Sequence, residues 1–324
     1  MGSRTRRIPR LSVDTVAECL HAALAAPSIH NTQPWLFRVH GREIEVWADR
    51  TRQLSNLDPS GRQMFISVGA AIFNLRLALL ARGRIPVLRL LPEPGLHELA
   101  ARIQAGPTTV PSPTAGVLAT AITRRHTNRR PFQADAVPWP VLDDLIAAAA
   151  AEGARLAVAD PIVRDAILSL TWTADEVLNR DEGYRAELDA WTGGQPERRD
   201  GIPSYAYPPQ DTTGRLPLRH FGPPAAAAAF ERRPTLVRLT THDDTPYDWI
   251  RAGQALQRVL LTATTRRLVA SPVNQALEVA ELRRLVSGHG YAQMVLRIGY
   301  GNAARGTPRR SLFDVLAKET SVSG

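Results

Sequence analysis

Ala26-Pro27-Ser28-Ile29-His30-Asn31-Thr32-Gln33-Pro34-Trp35 sets hydroxyl and amide side chains between two prolines. Proline fixes φ and donates no backbone hydrogen bond, so Pro27 and Pro34 stiffen the stretch. Ser28, Asn31 and Gln33 then present donors and acceptors from a rigid loop, a set suited to the edge of a planar heterocycle. Taken on its residues alone, the stretch also reads as an ordinary loop that ends a helix and feeds a strand. Both readings agree on its flanks. Upstream, Ser12 is an N-cap for Val13, Val16, Leu20 and Leu24 at helical spacing. Downstream, residues 36–40 and 43–48 flank Gly41 and predict a hairpin.

Further along, residues 61–82 form a long apolar helix stopped by Gly83, and 86–91 a short strand. Residues 92–113, broken by prolines and glycines around one weak helix at 96–103, are the expected linker. Helices are expected at 115–125, 141–152, 162–191, 245–268 and 278–286, and strands at 156–159, 235–241 and 293–299. Thr245-Pro246 has the N-cap and first-turn pattern. Residues 193–224, rich in Gly, Pro, Arg and Tyr, lack periodicity; a loop of that length is a functional lid, a surface excursion or disordered.

A repeat underlies this order. Gly69-x-Ala71-Ile72-x-x-Leu75 matches Gly253-x-Ala255-Leu256-x-x-Val259, an offset of 184 residues (253 − 69), and Arg82 falls opposite Arg266. The strand at Leu36 answers that at Leu156 with an offset of 120 (156 − 36), which leaves an insertion of 64 (184 − 120) in the second copy. That is about the 162–191 helix plus the proline-rich loop. The expectation is an α+β protein built as a duplicated unit: residues 1–105, then 106–324 with a lid inserted at about 193–224. Chance similarity between two apolar helices is the alternative.

Composition narrows the classes. The chain has 324 residues, 44% hydrophobic and 22% charged, as expected of a soluble globular protein. No run approaches a membrane span on this reading, and the basic N-terminus precedes no signal-peptide core. One cysteine, Cys19, excludes an internal disulfide framework, fits a cytoplasmic location and reads as buried packing. The net charge of +9 raises nucleic acid as a partner, but Lys318 is the only lysine and arginines run along the whole chain. Neither nucleic acid nor membrane is therefore expected as a partner. Histidine and cysteine lack zinc spacing, His242-Asp243-Asp244 reads as a polar helix start, and no Gly-x-Gly-x-x-Gly follows a strand.

Arginines do cluster in Arg124-Arg125-His126-Thr127-Asn128-Arg129-Arg130-Pro131-Phe132. Arg125 and Arg129 could clamp one phosphate, with Thr127 adding a hydroxyl; a solvated basic linker has the same composition.

Together the two segments resemble the FMN-dependent nitroreductase superfamily. In that family an Arg-x-Ser/Thr-x-Arg/Lys motif holds the ribityl phosphate, and a Pro-Ser-x-x-Asn-x-Gln-Pro-Trp motif from the partner subunit lines the flavin. Here the order is inverted, which looks like the Acg subgroup, where both modules are fused in one chain. The resemblance implies a nitroreductase-like fold forming an intramolecular pseudo-dimer, otherwise monomeric. It puts Pro27, Ser28, Ile29 and Asn31 against the flavin ring and ribityl chain, and Arg125, Thr127 and Arg129 on the ribityl and phosphate. Ser271-Pro272-Val273-Asn274-Gln275 resembles the family segment near the flavin N5, where Asn274 or Gln275 would hydrogen-bond. Pro308-Arg309-Arg310 resembles its basic tail, so Arg309 or Arg310 would complete the phosphate site. The parts occur once: opposite the Pro-Ser loop stands the alanine run of 146–153, and opposite the arginine motif only Arg4, Arg6 and Arg7. One FMN per chain is expected. The resemblance further implies NAD(P)H as electron donor, hydride transfer through FMN N5, and a nitroaromatic or quinone acceptor. Against turnover, Trp191, Tyr205, Tyr207, His220 and Phe221 lie in or beside the insertion. Rings closed over the flavin, as the subgroup is associated with, would make the chain a flavin-sequestering protein instead.

Overall fold

The computed structural model describes residues 11–193, 197–224 and 226–317. Ser12 caps α1 (Val13–Leu24) by accepting the Thr15 amide at 3.1 Å. Cys19 on its inner face is fully buried, and burial pushes the thiol up to about 11. The hairpin of β1 (Trp35–His40) and β2 (Glu43–Ala48) turns at Gly41, whose φ of 63° favours glycine. Then follow α2 (Arg62–Ala81), β3 (Arg84–Leu90) and β4 (Leu99–Thr108). These four strands make one antiparallel sheet in the order β1-β2-β4-β3.

The second half starts with α3 (Pro113–Ala121), α4 (Trp139–Ala150) and β5 (Arg155–Val158). Next come α5 (Pro161–Arg180), α6 (Glu182–Ala190) and two short parallel pairings. These join β6 (Thr192–Gly193) to β7 (Ile202–Pro203) and β8 (Gln210–Asp211) to β9 (Ala227–Ala228). The chain continues through β10 (Thr235–Thr241), α7 (Pro246–Thr265), β11 (Leu268–Pro272), α8 (Gln275–Glu278) and α9 (Ala280–Ser287). It closes with β12 (Tyr291–Tyr300) and α10 (Leu312–Val315). The second sheet has the order β5-β10-β12-β11, again antiparallel, so β1, β2, α2, β3 and β4 recur as β5, β10, α7, β11 and β12. In place of the hairpin turn between β1 and β2, the second copy inserts residues 159–234 between β5 and β10.

The repeat is visible at atomic level where α2 crosses α7. Both helices have 20 residues, begin 184 positions apart (246 − 62) and take Arg82 and Arg266 as C-caps. A Cβ on Gly69 would stand 2.2 Å from the Ile250 carbonyl oxygen, and one on Gly253 would stand 2.0 Å from that of Ile66. Ile250 packs into the core of the first half while Ile66 packs into that of the second, again 184 apart (250 − 66). The Gln257 Nε2 adds a 2.8 Å bond to Asn74 Oδ1 across the same seam.

Several expectations are corrected. Residues 99–108, read as helix and linker, are strand β4, so the boundary drawn after residue 105 falls inside a strand. From Ala101 to Ala105 buried apolar residues (Ala101, Ile103, Ala105) alternate with half-buried Arg102 and Gln104, a period-2 pattern masked by the flanking prolines. The 162–191 helix is two helices, broken at Asp181, whose side chain caps α6 by accepting the Tyr184 amide at 2.9 Å. Helix α7 ends at Thr265, short of the expected residue 268, and β11 follows. Finally, α2 does have the length and apolarity of a membrane span, and 83% of that window is buried inside the protein.

Because alanine is a better helix former than glycine by about 1 kcal/mol, Gly253→Ala on a free helix would stabilise. Here we expect the opposite, a loss of about 3 kcal/mol in urea unfolding, since backbone must move to admit the methyl group.

Candidate functional site

The loop from α1 to β1 is strained. His30, Asn31 and Gln33 have φ of 44°, 56° and 51°, the left-handed region that disfavours side chains. Neighbouring groups hold it there. Ser28 Oγ accepts the Gln33 amide at 2.9 Å, and the Ile29 amide donates to Ser67 Oγ of α2 at 3.1 Å. Asn31 Nδ2 donates to the Gly201 and Pro308 carbonyls, and Gln33 Nε2 to that of Arg199 at 2.9 Å. The side-chain amides of Asn31 and Gln33 thus donate to protein backbone and fix the loop.

Opposite stands the arginine motif. The Asn128 amide donates to the Ala270 carbonyl at 2.9 Å, tying the motif to β11. Arg125, Thr127, Arg129 and Arg309 line a cavity with Pro27, Ser28, Asn31, His126, Ile202, Arg305 and Thr307. Arg125 is buried; one Nη donates to the Ala25 carbonyl at 3.3 Å, and Nε has no partner among the described residues. Arg309 Nε is likewise orphaned, while its Nη1 donates to Asn31 Oδ1 at 3.0 Å. Arg129 donates to the Ala206 carbonyl at 3.3 Å and lies 4.9 Å over the Phe221 ring. Among the described residues none of the three faces a carboxylate at ion-pair distance. Burial, reinforced by the Arg309 charge, pulls Arg125 down to about 9. Burial and Arg219 pull Arg129 down to about 10, and burial alone takes Arg309 to about 10. A cation drawn out of water without an anionic partner is costly, and an anion in this cavity would offset that cost.

A larger pocket shares Pro27, Ser28, Arg125, His126, Thr127 and Arg129 with that cavity. Ile29, Ile66, Leu256, Leu260, Ala270, Met294 and Leu296 make it largely apolar, the usual lining of a cofactor site. Pro272, Val273, Asn274 and Gln275 form one wall. Their amides are engaged: Asn274 Oδ1 accepts the Val295 amide and Gln275 Nε2 donates to the Pro217 carbonyl, both at 2.9 Å. Twelve of the thirteen residues expected at the site thus line one or other cavity: Pro27, Ser28, Ile29, Asn31, Arg125, Thr127, Arg129, Pro272, Val273, Asn274, Gln275 and Arg309. Arg310 does not. It donates to the Gln33, Trp35 and Asp314 carbonyls and stands 3.8 Å from Asp49, locking the tail to the first half. The counterpart motif at Arg4, Arg6 and Arg7 lies outside the described residues.

The insertion contributes to the pocket through Pro208, Leu216, Pro217, Leu218, Arg219 and Phe221. Of its expected rings, Phe221 lines the pocket and Tyr207 backs it at a centroid distance of 6.0 Å. Trp191 instead sits between Arg52 and Arg198, Tyr205 packs under Arg305, and His220 is exposed. Composition did not single out His30, Gln63, Ser67, Arg219 or Glu278. Arg219 pairs with Glu278 and hydrogen-bonds the Tyr184 hydroxyl. Burial works against that guanidinium, but the Glu278 and Tyr184 contacts raise it above the usual range. Gln63 and Ser67, polar and one turn apart on a mostly apolar helix, were the available signal.

No family model matches the chain. A Mycobacterium tuberculosis protein named "Putative NAD(P)H nitroreductase Rv3131" is 34% identical over 319 residues, spanning 94% of this chain and 91% of that protein. The chain belongs to the nitroreductase family. A second relative from the same organism, "Putative NAD(P)H nitroreductase acg", is 27% identical over 328 residues, 95% of this chain and 98% of its own. Among solved structures, the FMN-dependent nitroreductase NfnB from Mycobacterium smegmatis in complex with NADPH aligns with a TM-score of 0.40 and 17% identity. That alignment covers 63% of this chain and 99% of the other. A nitroreductase with bound FMN from Bacteroides fragilis aligns at 0.36 and 13%, over 64% and 97%.

For this nitroreductase-family chain, inorganic phosphate should raise the thermal midpoint of flavin-free protein, by about 2.7 kcal/mol of stability at 100 times its Kd. Arg125→Met should abolish that gain while leaving the phosphate-free midpoint unchanged or higher, since a buried unpaired charge is gone. Differential scanning fluorimetry reads both.

Proposed function

We propose that the chain holds one FMN, its phosphate among Arg125, Arg129 and Arg309 and the rest of the molecule in the adjoining apolar pocket, as an NAD(P)H-dependent oxidoreductase. The observation that carries this is the set of guanidiniums, buried at Arg125 and half-buried at Arg129 and Arg309, without carboxylate partners among the described residues beside an apolar pocket. A phosphate dianion there would take charge-assisted bonds of roughly 1.5–3 kcal/mol each. Pro27, Ser28 and Thr127 line both cavities, where a ribityl chain would pass, and Ile29 lines the larger one. When bound, FMN supplies hydride transfer through N5 between a nicotinamide and an acceptor such as a nitroaromatic or quinone. The protein's part is to orient it, screen it from water and control which molecule reaches it.

Single occupancy follows from the same duplication. Where the first half connects α1 to β1 through the strained residues 25–34, the second connects α4 to β5 through 151–154 alone. The two halves stand in for the two subunits of a family dimer, and one of the two sites lacks its loop.

A second reading, flavin sequestration, is favoured by the insertion: residues 216–219 and 221 line the pocket a nicotinamide would need, and Arg219 is tied to Glu278. Purified protein titrated with FMN should saturate at one per chain, and anaerobic NADPH or NADH should bleach the flavin band. Bleaching by neither nicotinamide, restored when residues 193–224 are deleted, would assign the chain to flavin holding. Protein that stays colourless with added FMN would overturn both readings.

A further inference from the structure

A third cavity lies wholly within the insertion and shares a wall with the larger pocket. Pro208, Leu216, Leu218 and Phe221 line both. Between them, Pro217 and Arg219 line only the larger pocket, and His220 only the insertion cavity, so the wall is one segment thick. That wall is pinned. Gln275 Nε2 donates to the Pro217 carbonyl at 2.9 Å, and Arg219 is tied to Glu278 and to the Tyr184 hydroxyl. The insertion cavity is therefore preformed, and at about 630 Å³ with its mouth it falls within the roughly 300–1,000 Å³ of small-molecule sites.

Its chemistry differs from that of its neighbours. Arg125, Arg129 and Arg309 line the smaller cavity, and Arg125, Arg129, Arg219 and Arg297 the larger pocket. In a chain with 40 lysines and arginines, no described residue of either type lines the insertion cavity. Its titratable groups are exposed His220 and Asp211. The Asp211 carboxylate already accepts the Thr213, Arg215 and Leu216 amides at 2.9, 2.9 and 3.1 Å. The remaining surface is mostly rings and prolines, with the Trp172 indole of α5 left 39% exposed. Such a lining gives an anion no counter-charge and suits the face of an uncharged aromatic molecule.

We propose that the insertion cavity is a second ligand site, separate from the FMN site proposed above, and that it takes an uncharged aromatic molecule. The test uses the full chain in equilibrium dialysis, with and without saturating FMN. N-phenylnaphthylamine is the neutral probe, and its sulfonated analogue anilinonaphthalenesulfonate is the anionic control. Wild type should bind one neutral probe per chain whether or not FMN is present, and the sulfonate should not displace it. Trp172 and His220 line the insertion cavity but neither of the other two. Trp172→Ala removes the indole face and His220→Trp fills the space. Each should weaken the neutral probe roughly tenfold, the worth of one aromatic contact, with FMN affinity and thermal midpoint unchanged. Should Trp172→Ala lower the midpoint, His220→Trp, at an exposed position, decides. Absence of saturable binding would overturn the proposal, as would an affinity unchanged in both variants. Displacement of the probe by FMN would place it in the larger pocket, and equal competition by the sulfonate would remove the preference for neutral molecules; either result also overturns it. Wild type that binds the probe in a variant-sensitive way but takes up no FMN would uphold this site and sink the FMN reading alone.

Discussion

Two glycines that leave no room for a methyl group between α2 and α7 set the geometry on which the remainder of the molecule depends. With Gly69 and Gly253 back to back, each helix backbone lies against its counterpart, and Ile66 and Ile250 reach past the seam into the opposite core. Close approach fixes where each sheet stands relative to the other helix. The pocket forms where that arrangement brings the first half's loop and α2 up to β11, β12 and the arginine motif of the second.

That pocket concentrates unfavourable features. Three guanidiniums, Arg125 buried and Arg129 and Arg309 half-buried, lack anionic partners among the described residues, and three residues of the loop sit at positive φ. Each costs stability in the ligand-free chain, and the apolar cores on either side of the seam offset it. Such costs persist where surrounding structure over-determines them, and here the enforcing bonds come from Ser28, Ser67, Gly201 and Pro308.

Much of this was legible in the sequence, for identifiable reasons. Helices α1, α2 and α7 announce themselves through caps and apolar spacing, and the 184-residue offset marks two elements that prove to touch. The proline-bounded loop and the arginine motif name their residues because their composition is unusual. Strand β4 was hidden by small residues and flanking prolines, which mimic a linker until pairing with β2 and β3 supplies the missing hydrogen bonds. Arg309 and Arg310 are indistinguishable as neighbours in sequence; only the fold turns one to the cavity and the other to the carbonyls of Gln33 and Trp35. The Arg219–Glu278 pair joins positions far apart in the chain, and no local pattern encodes it.

The insertion of residues 159–234 in one copy alone shows what fusing two halves permits. In an assembly of identical subunits every change appears twice, and any added segment must be accommodated at both symmetry-related places at once. Within a single polypeptide the two copies can differ: the first carries the strained loop, the second the Arg125 motif and the insertion. Asymmetry of this kind is open to a chain whose two halves are encoded separately, and closed to a symmetric pair.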